Sequence, residues 1–544
     1  MRFNKYILIP ILLIVLSIFA NLFLAYYSIP KKFIGTIGID QPTHFYDMKR
    51  WYESKKFPTT STRFTATRII DDEFTTPRVP GGAYYIFYTI FYKLSGENLL
   101  IAKTLNLIFN LIIIYIFIFW IYKKFGLFIT GMISPLILCN GYIVLASTDF
   151  WNPNLSLIFS FLLFIFLFEY IDNHDEDNAR KNIVRISSIL IFPILAIIAQ
   201  GHFFAFFSII PTVIVYLIIK YKRTLKYIVY WILGVFISFL EYLPYLISEI
   251  QSNFSNLKMA FLVKDSFTKF PFPQIYAIAI FPTNEMSVFY GSKFESIVNF
   301  WMNLYPIGIL GVLFLIITLI LAFVSIIRGG YFIFNKNYKA VSNNEKTLIE
   351  MLMIFFMFIP ITIVLNMFSG QFSKIHYMYP FFALSYTPIL LFFIQKVDTI
   401  KYNNKLFYLS SFLLFINIFV LALQLHTYIK YYEKDLTAKE LKNMLYALSE
   451  DAADNDISIN LAYSGSHNYL YRDISMIYFP EININQVDDS TNLYIILNLA
   501  GSRSRTLESV SNYMNYMSTN SILITNNSTL YIYKYIGKEN FKRP

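Results

Sequence analysis

Between the first two long apolar runs of this 544-residue chain lies a polar stretch in which acids and bases are interleaved. It opens Gly38-Ile39-Asp40-Gln41-Pro42-Thr43-His44-Phe45-Tyr46-Asp47 and continues through Lys49-Arg50-Trp51-Tyr52. Later it carries Arg68, Asp71-Asp72-Glu73 and Pro77-Arg78-Val79-Pro80-Gly81-Gly82. A carboxylate such as Asp40, just outside an apolar span, can take a proton from an acceptor hydroxyl or amine as a general base. Arginine and lysine beside it can hold a phosphate through charge-assisted hydrogen bonds, each contributing about 1.5–3 kcal/mol. Further polar groups stand at the ends of later apolar runs: Asp149-Phe150-Trp151-Asn152-Pro153, Gln200-Gly201-His202, and Lys374-Ile375-His376-Tyr377. Each position also has a plainer reading. Asp40 suits a solvated loop, and Asp149 suits the cap of a helix that begins Asn-Pro. His202 and His376-Tyr377 suit an aromatic belt at a membrane surface, and Arg68 and Arg78 suit surface charges.

The elements that would position these groups are apolar helices. Hydrophobic residues make up 56% of the chain and charged residues 15%, against about 25% charged in soluble domains. The apolar residues form long runs at roughly 6–29, 99–122, 126–147, 154–171, 184–200, 202–220, 226–247, 300–327, 347–368, 377–395 and 406–428. Each is near the ~20 residues a helix needs to cross a bilayer. The N-terminal run follows Arg2 and Lys5 and is too long for a cleaved leader, so it is read as an uncleaved first span. Glu241, Lys103 and Glu350 fall near the ends of runs, where snorkelling to the interface accounts for them.

Charge placement sets the orientation. Lys123-Lys124, Arg180-Lys181, Arg185, Lys220, Lys222-Arg223, Lys226, Arg328, Lys336, Lys339, Lys396, Lys401 and Lys405 fall on one side with Arg2 and Lys5. The connections near 148–153 and 199–201 contain no Lys or Arg. By the positive-inside rule the N-terminus is inside and the tail after residue 429 outside. The net charge of +11 is therefore read as basic loops beside membrane helices, and nucleic acid is not expected as a partner. The outer loop at 30–98 breaks the rule, with Lys31, Lys32, Lys49, Arg50, Lys55, Lys56, Arg63, Arg68 and Arg78. A long loop can translocate despite its charge, and an anionic ligand would give the charge a use. Within the loop, Ala83–Tyr92 is apolar but too short to span, and is expected at the interface.

Several chemistries are excluded. There is no GxxxxGK[ST] loop, HExxH, CxxC or GxSxG, and Cys139 is the single cysteine. Nucleotide-driven transport by this chain alone, a disulfide within it and a cysteine metal site are therefore not expected. The run Asp172-Asn173-His174-Asp175-Glu176-Asp177 lacks the spacing of a calcium loop and reads as solvated. In the tail, Leu436–Ser449 and Arg505–Met517 have helical spacing. Ser458–Tyr463, Leu493–Leu497 and Ser521–Tyr535 look like strands, giving a small α/β domain.

The order of these features is similar to the GT-C superfamily of membrane glycosyltransferases. The closer likeness is to the bacterial relatives of protein O-mannosyltransferases and aminoarabinose transferases. It rests on a first span, an Asp in a long basic outer loop, and a Pro-Gly/Tyr-Tyr segment (Pro80-Gly81-Gly82-Ala83-Tyr84-Tyr85). Leu94-Ser95-Gly96-Glu97-Asn98, the Asp149 and Gln200 segments, Tyr242-Leu243-Pro244-Tyr245-Leu246 with Glu249, and the Lys374 segment follow in that order, over roughly residues 1–400.

The resemblance implies a polytopic α-helical membrane protein of about eleven transmembrane helices at residues 1–429. A small extracytoplasmic α/β domain would follow at 430–544, and the chain would reside in the cytoplasmic membrane. It implies transfer of a sugar from a polyprenyl-phosphate donor to an extracytoplasmic glycolipid, surface glycan or protein. Asp40 would be the catalytic carboxylate. Arg68, Arg78, Lys374 or His376 would meet the leaving phosphate, and Asp149, His202 and Tyr377 would line the substrate site. Many relatives have Asp-Glu where this chain has Asp40-Gln41, so Asp47 or Asp71 is the candidate second acid. No metal ligands are assigned, and a divalent metal requirement is left open. Two other classes stay in view: a transporter or flippase of lipid-linked saccharide, and an assembly factor that displays the tail domain.

Overall fold

The computed structural model describes residues 4–31, 40–63, 77–172, 178–262, 281–283, 307–335, 342–369, 375–432, 438–451, 456–464, 483–486, 493–498, 515–526 and 530–536. The chain divides into two units, described separately. One comprises Met1–Tyr26, Trp51–Phe64 and Thr76–Leu425, the other Tyr27–Arg50, Thr65–Thr75 and His426–Pro544.

The helices in chain order are α1 (Lys5–Lys31), α2 (Asp40–Ser54), α3 (Ala83–Leu94), α4 (Leu99–Leu138), α5 (Gly141–Thr148), α6 (Asn152–Ile171), α7 (Asn178–Gly201), α8 (Ile209–Ile219), α9 (Tyr221–Lys226) and α10 (Ile228–Gln251). They continue with α11 (Ser255–Leu262), α12 (Ile307–Phe334), α13 (Asn343–Ser369), α14 (Thr387–Tyr402), α15 (Asn404–Tyr432) and α16 (Ala438–Asp451). Among the described residues eight helices are long and apolar enough to cross a membrane, and Ile375–Phe381 with Ala383–Tyr402, bent by 74°, makes a ninth candidate.

All eleven predicted runs fall on apolar helices, but not one for one. Runs 99–122 and 126–147 meet at a kink in the 40-residue α4, where Gly126 (φ 81°, ψ 174°) parts two helical segments, and the second run continues into α5. The run 202–220 is a shorter helix, Phe203–Ile219.

α6 is the centre of the first unit. It is apolar on every side because it is buried on nearly every side, from Leu155 to Ile171. Helix α10 shows the opposite pattern. Trp231, Gly234, Tyr245 and Glu249 are buried, while Val229, Ile232, Phe236 and Ile250 are exposed, as suits a helix facing lipid. Gly234 lets α10 close on α7, since a Cβ there would overlap the Ile189 carbonyl.

The break between α4 and α5, at Cys139–Asn140, frees backbone groups inside the apolar bundle. Side chains from distant helices take them up. Asn21 Nδ2 donates to Leu138 O at 2.7 Å, Tyr386 Oη to Leu136 O at 3.1 Å and Asn417 Nδ2 to Cys139 O at 3.5 Å, Asn417 also reaching Pro135 O, which still accepts from Cys139 N. Asn140 caps α5 through Tyr142 N and donates to Phe281 O at 2.7 Å. Cys139 itself is fully buried.

At the end of α6 opposite its Asn-Pro start, charges are paired. Lys124 Nζ lies 2.8 Å from Glu169 and 3.0 Å from Asp172, and Arg180 lies 2.7 Å from Asp172. Trp120 Nε1 donates to Glu169 at 2.7 Å, and Arg223 donates to Tyr170 O. Asp172 is thus buried and bridged, which overturns its reading as a solvated loop acid; 173–177 lie outside the described residues. The snorkelling reading also fails. Lys103 is 3% exposed. Glu350 accepts from Tyr216 at 2.7 Å and pairs with Lys220 at 3.1 Å. In each case the charged group meets an opposite charge within the fold.

In the second unit the sheet order is β4-β3-β5-β7-β6, with β3 (Asp456–Ser464), β4 (Asn483–Gln486), β5 (Leu493–Asn498), β6 (Ser521–Asn526) and β7 (Leu530–Tyr535). β3 runs parallel to β4 and β5, while β7 is antiparallel to β5 and β6. The stretch 521–535, read as one strand, is a hairpin of two. Helix α16 is tied to the sheet where Asp451 accepts from Tyr494 at 2.6 Å and from Lys534 at 3.0 Å. The predicted helix 505–517 lies mostly outside the described residues.

Burial raises the Asp172 carboxyl, but Lys124 and Arg180 outweigh it and hold the group below its ordinary range. A depressed acid contributes stability above its unfolded value and loses it as pH falls through the folded value. Asp172→Asn should therefore lower the thermal midpoint of the purified protein at neutral pH, by a loss of about 3–5 kcal/mol. The gap to wild type should narrow on acidification below about pH 4; a gap constant with pH would contradict this account.

Candidate active site at one end of the helical unit

The site is built where α6 begins and α7 ends. A short antiparallel pair, β1 (Thr60–Arg63) and β2 (Arg78–Pro80), leads into it, with Thr60 opposite Pro80 and Arg63 opposite Arg78. After β2 the chain turns at Gly81, whose φ of 88° is a left-handed conformation that glycine adopts freely. Gly82 N-caps α3 and lies so close to the Pro58 carbonyl that no side chain fits. Gln200, at the end of α7, holds this turn. Its Oε1 accepts from Ala83 N at 2.9 Å and its Nε2 donates to Glu241 Oε2 at 3.4 Å. Glu241 on α10 is half-buried, so it too is bonded within the fold rather than snorkelling.

α3 is sided as an interfacial helix should be. Tyr84, Tyr85, Tyr88 and Tyr92 are buried, whereas Ile90 and Leu94 are exposed. Tyr84 Oη donates to Phe150 O at 2.8 Å, and the Tyr88 ring packs on Phe150 at 4.4 Å. Together they fix the link between α5 and α6.

Asp149, the C-cap of α5, stands in that link. Its Oδ1 lies 3.5 Å from Lys103 Nζ, with side-chain exposures of 10% and 4%. Asn154 Nδ2 donates to Asp149 O at 3.1 Å, and Asn152 Nδ2 to Gly201 O at 3.2 Å. Burial first, and then the charge of Asp149, push the Tyr88 hydroxyl far above its ordinary value, so it remains protonated. The N-cap of α6 is Trp151, which corrects the reading of Asp149 as that helix's cap.

From Trp151 a line of rings crosses to α7. Trp151 packs on His376 at 4.7 Å, His376 on Tyr377 at 4.8 Å, and Tyr377 on His202 at 4.6 Å. His202 Nδ1 accepts from Phe204 N at 3.3 Å, so the neutral ring carries its proton on Nε2. On the far side of the Gly81 turn, Asn256 clasps Arg78 through the backbone, its Oδ1 accepting from Arg78 N at 2.6 Å and its Nδ2 donating to Arg78 O at 2.9 Å.

The structure therefore brings Asp149, His202, His376 and Tyr377 into one layer, joined through Gln200 and the Gly81 turn to the strand bearing Arg78. Asp40 opens α2, but its side chain lies outside the described residues, as do Arg68, Asp71 and Lys374. Asp47 is a buried residue of the second unit. Sequence reasoning missed Lys103, Glu241 and Asn256 as parts of this layer. A signal for the first existed: Lys103, Asn106 and Asn110 are polar at helical spacing in an otherwise apolar run, and all three are buried. Among the described residues no group of three His, Cys, Asp or Glu could hold a metal ion.

No protein-family model and no curated protein sequence matches the chain. Solved structures do. ArnT from Cupriavidus metallidurans, in the apo state and bound to undecaprenyl phosphate, is similar at TM-score 0.47 and 10% identity, over 96% of this chain and 97% of that one. The Archaeoglobus fulgidus oligosaccharyltransferase, tethered to an acceptor peptide containing the NVT sequon, is similar at TM-score 0.46 and 9% identity, over 98% and 74%.

Two glycines flanking α3 separate close approach from backbone strain. Gly82→Ala must displace the Pro58 carbonyl, whereas Gly96 (φ 62°) faces open space. Gly96→Ala should cost only its left-handed conformation, about 1–2 kcal/mol. Gly82→Ala should lower the thermal midpoint more; equal losses would refute the close approach.

Proposed function

We propose that the chain is a membrane glycosyltransferase of GT-C type, moving a sugar from a polyprenyl-phosphate carrier to an extracytoplasmic glycolipid, surface glycan or protein. The observation that carries this reading is the gathering of Asp149, His202, His376 and Tyr377 at one end of an apolar helical bundle, beside the Arg78 strand. The sequence resemblance supports it at the same positions. A lipid-borne donor needs a polar site that opens where acyl chains end, and this layer lies at helix ends.

In this reading the acceptor oxygen or nitrogen attacks the anomeric carbon, and the sugar–phosphate bond breaks in a direct displacement. Asp40 takes the acceptor proton as general base. The polyprenyl phosphate leaves with the bonding pair, and Arg68, Arg78, Lys374 or His376 stabilises its charge. Asp47 or Asp71 supplies the second acid, and Asp149, His202 and Tyr377 orient the sugar.

The test uses membranes containing the full chain and a panel of radiolabelled polyprenyl-phosphate sugars. Asp40→Asn and Asp149→Asn should each lower transfer at least 100-fold at unchanged protein level. Full activity of folded Asp40→Asn would remove Asp40 from the mechanism. The helix break at Cys139–Asn140 favours a second reading, a flippase, because broken helices line many transport pathways. Movement of the labelled lipid across proteoliposomes without transfer to any acceptor would favour it.

A further inference from the structure

Lys103 is the one element of the layer that composition argues against. A lysine inside an apolar helix is costly and is retained where it has a partner. It heads a buried stripe on α4 with Asn106 and Asn110, spaced three and four residues apart. Both asparagines donate to Ser147 O, at 3.3 and 3.4 Å. The stripe therefore docks against the last turn of α5, and its head reaches the C-cap of that helix, Asp149, at 3.5 Å.

The position of Asp149 is electrostatically poor on its own. It is buried, and it sits at the C-terminus of α5, where the helix dipole presents its negative end. Both effects favour the neutral acid. Facing it from α3, Tyr88 is protonated and brings no charge. Facing it from α4, Lys103 brings a positive one. His376 stacks on Trp151, two residues along the chain from Asp149.

We propose that Lys103 is a positioning residue that keeps Asp149 ionised and fixed in place within the candidate site. The role in transfer rests on the glycosyltransferase reading; the ionisation of Asp149 does not.

The experiment is infrared spectroscopy of the full chain in nanodiscs across pH. The carbonyl band of protonated Asp149 is assigned by its disappearance in Asp149→Asn. In Lys103→Met its midpoint should move up by about one to three pH units, the usual effect of a neighbouring cation on Asp. Lys103→Arg should stay near wild type. An unmoved midpoint in Lys103→Met overturns the proposal.

Thermal unfolding of Lys103→Met, Asp149→Asn and the double variant guards against a variant that fails to fold. The double variant should be more stable than either single, and additive losses would overturn the pairing. The acid limb of the pH–rate profile for transfer should shift in Lys103→Met by the same amount as the infrared midpoint. A lower rate with an unshifted limb would reduce Lys103 to a structural role. If wild type transfers no sugar from any donor, the glycosyltransferase reading falls, and the infrared and unfolding arms still decide whether Lys103 holds Asp149 ionised.

Discussion

A helix cannot break inside an apolar medium unless something accepts or donates in place of the lost backbone partners. At Cys139–Asn140 this chain meets the requirement with Asn21 from α1, Asn417 from α15 and Tyr386 beside α14. Helices far apart in sequence are thereby bound to one point. The direction of α5 follows from that point, and the position of Asp149 follows from α5. If the carbonyls of Leu136, Leu138 and Cys139 lacked these partners, the link that carries Asp149 would lose its anchor.

The same economy governs charge. Lys124, Glu169, Asp172 and Arg180 neutralise one another at one end of α6, and Lys103 and Asp149 do so at the other. The two sets differ in what surrounds them. At the first end each acid has short bonds from cations or an indole, an arrangement that fixes helices. At the second the pair is longer, alone of the two in lying among histidines, tyrosines and a glycine turn. Pairing is close at one end of α6 and longer, amid mixed polarity, at the other.

Much of this was legible beforehand. The apolar runs announced the helices because a bilayer leaves few alternatives, and the tail's strands showed in their β-branched and aromatic stretches. Asp149, His202, His376 and Tyr377 were visible because they interrupt apolar runs at their ends. What escaped was partnership. A lysine near the end of a run looks the same whether it snorkels or meets an acid 46 positions away. The break at Gly126 was legible, since Lys123-Lys124 part the two apolar runs there, and the two strands within 521–535 are parted by Asn526-Asn527-Ser528, a turn-forming signal that the single-strand reading passed over.

Cys139, the chain's single cysteine, sits wholly buried at the helix break, its sulfur toward the Ser17 carbonyl. A thiol reagent added to the folded protein finds no accessible sulfur. The native chain is consequently its own blank for labelling. Two cysteines introduced at exposed positions would carry the only labels, so spin-label or fluorophore pairs could measure distances between the two units without prior removal of the native thiol.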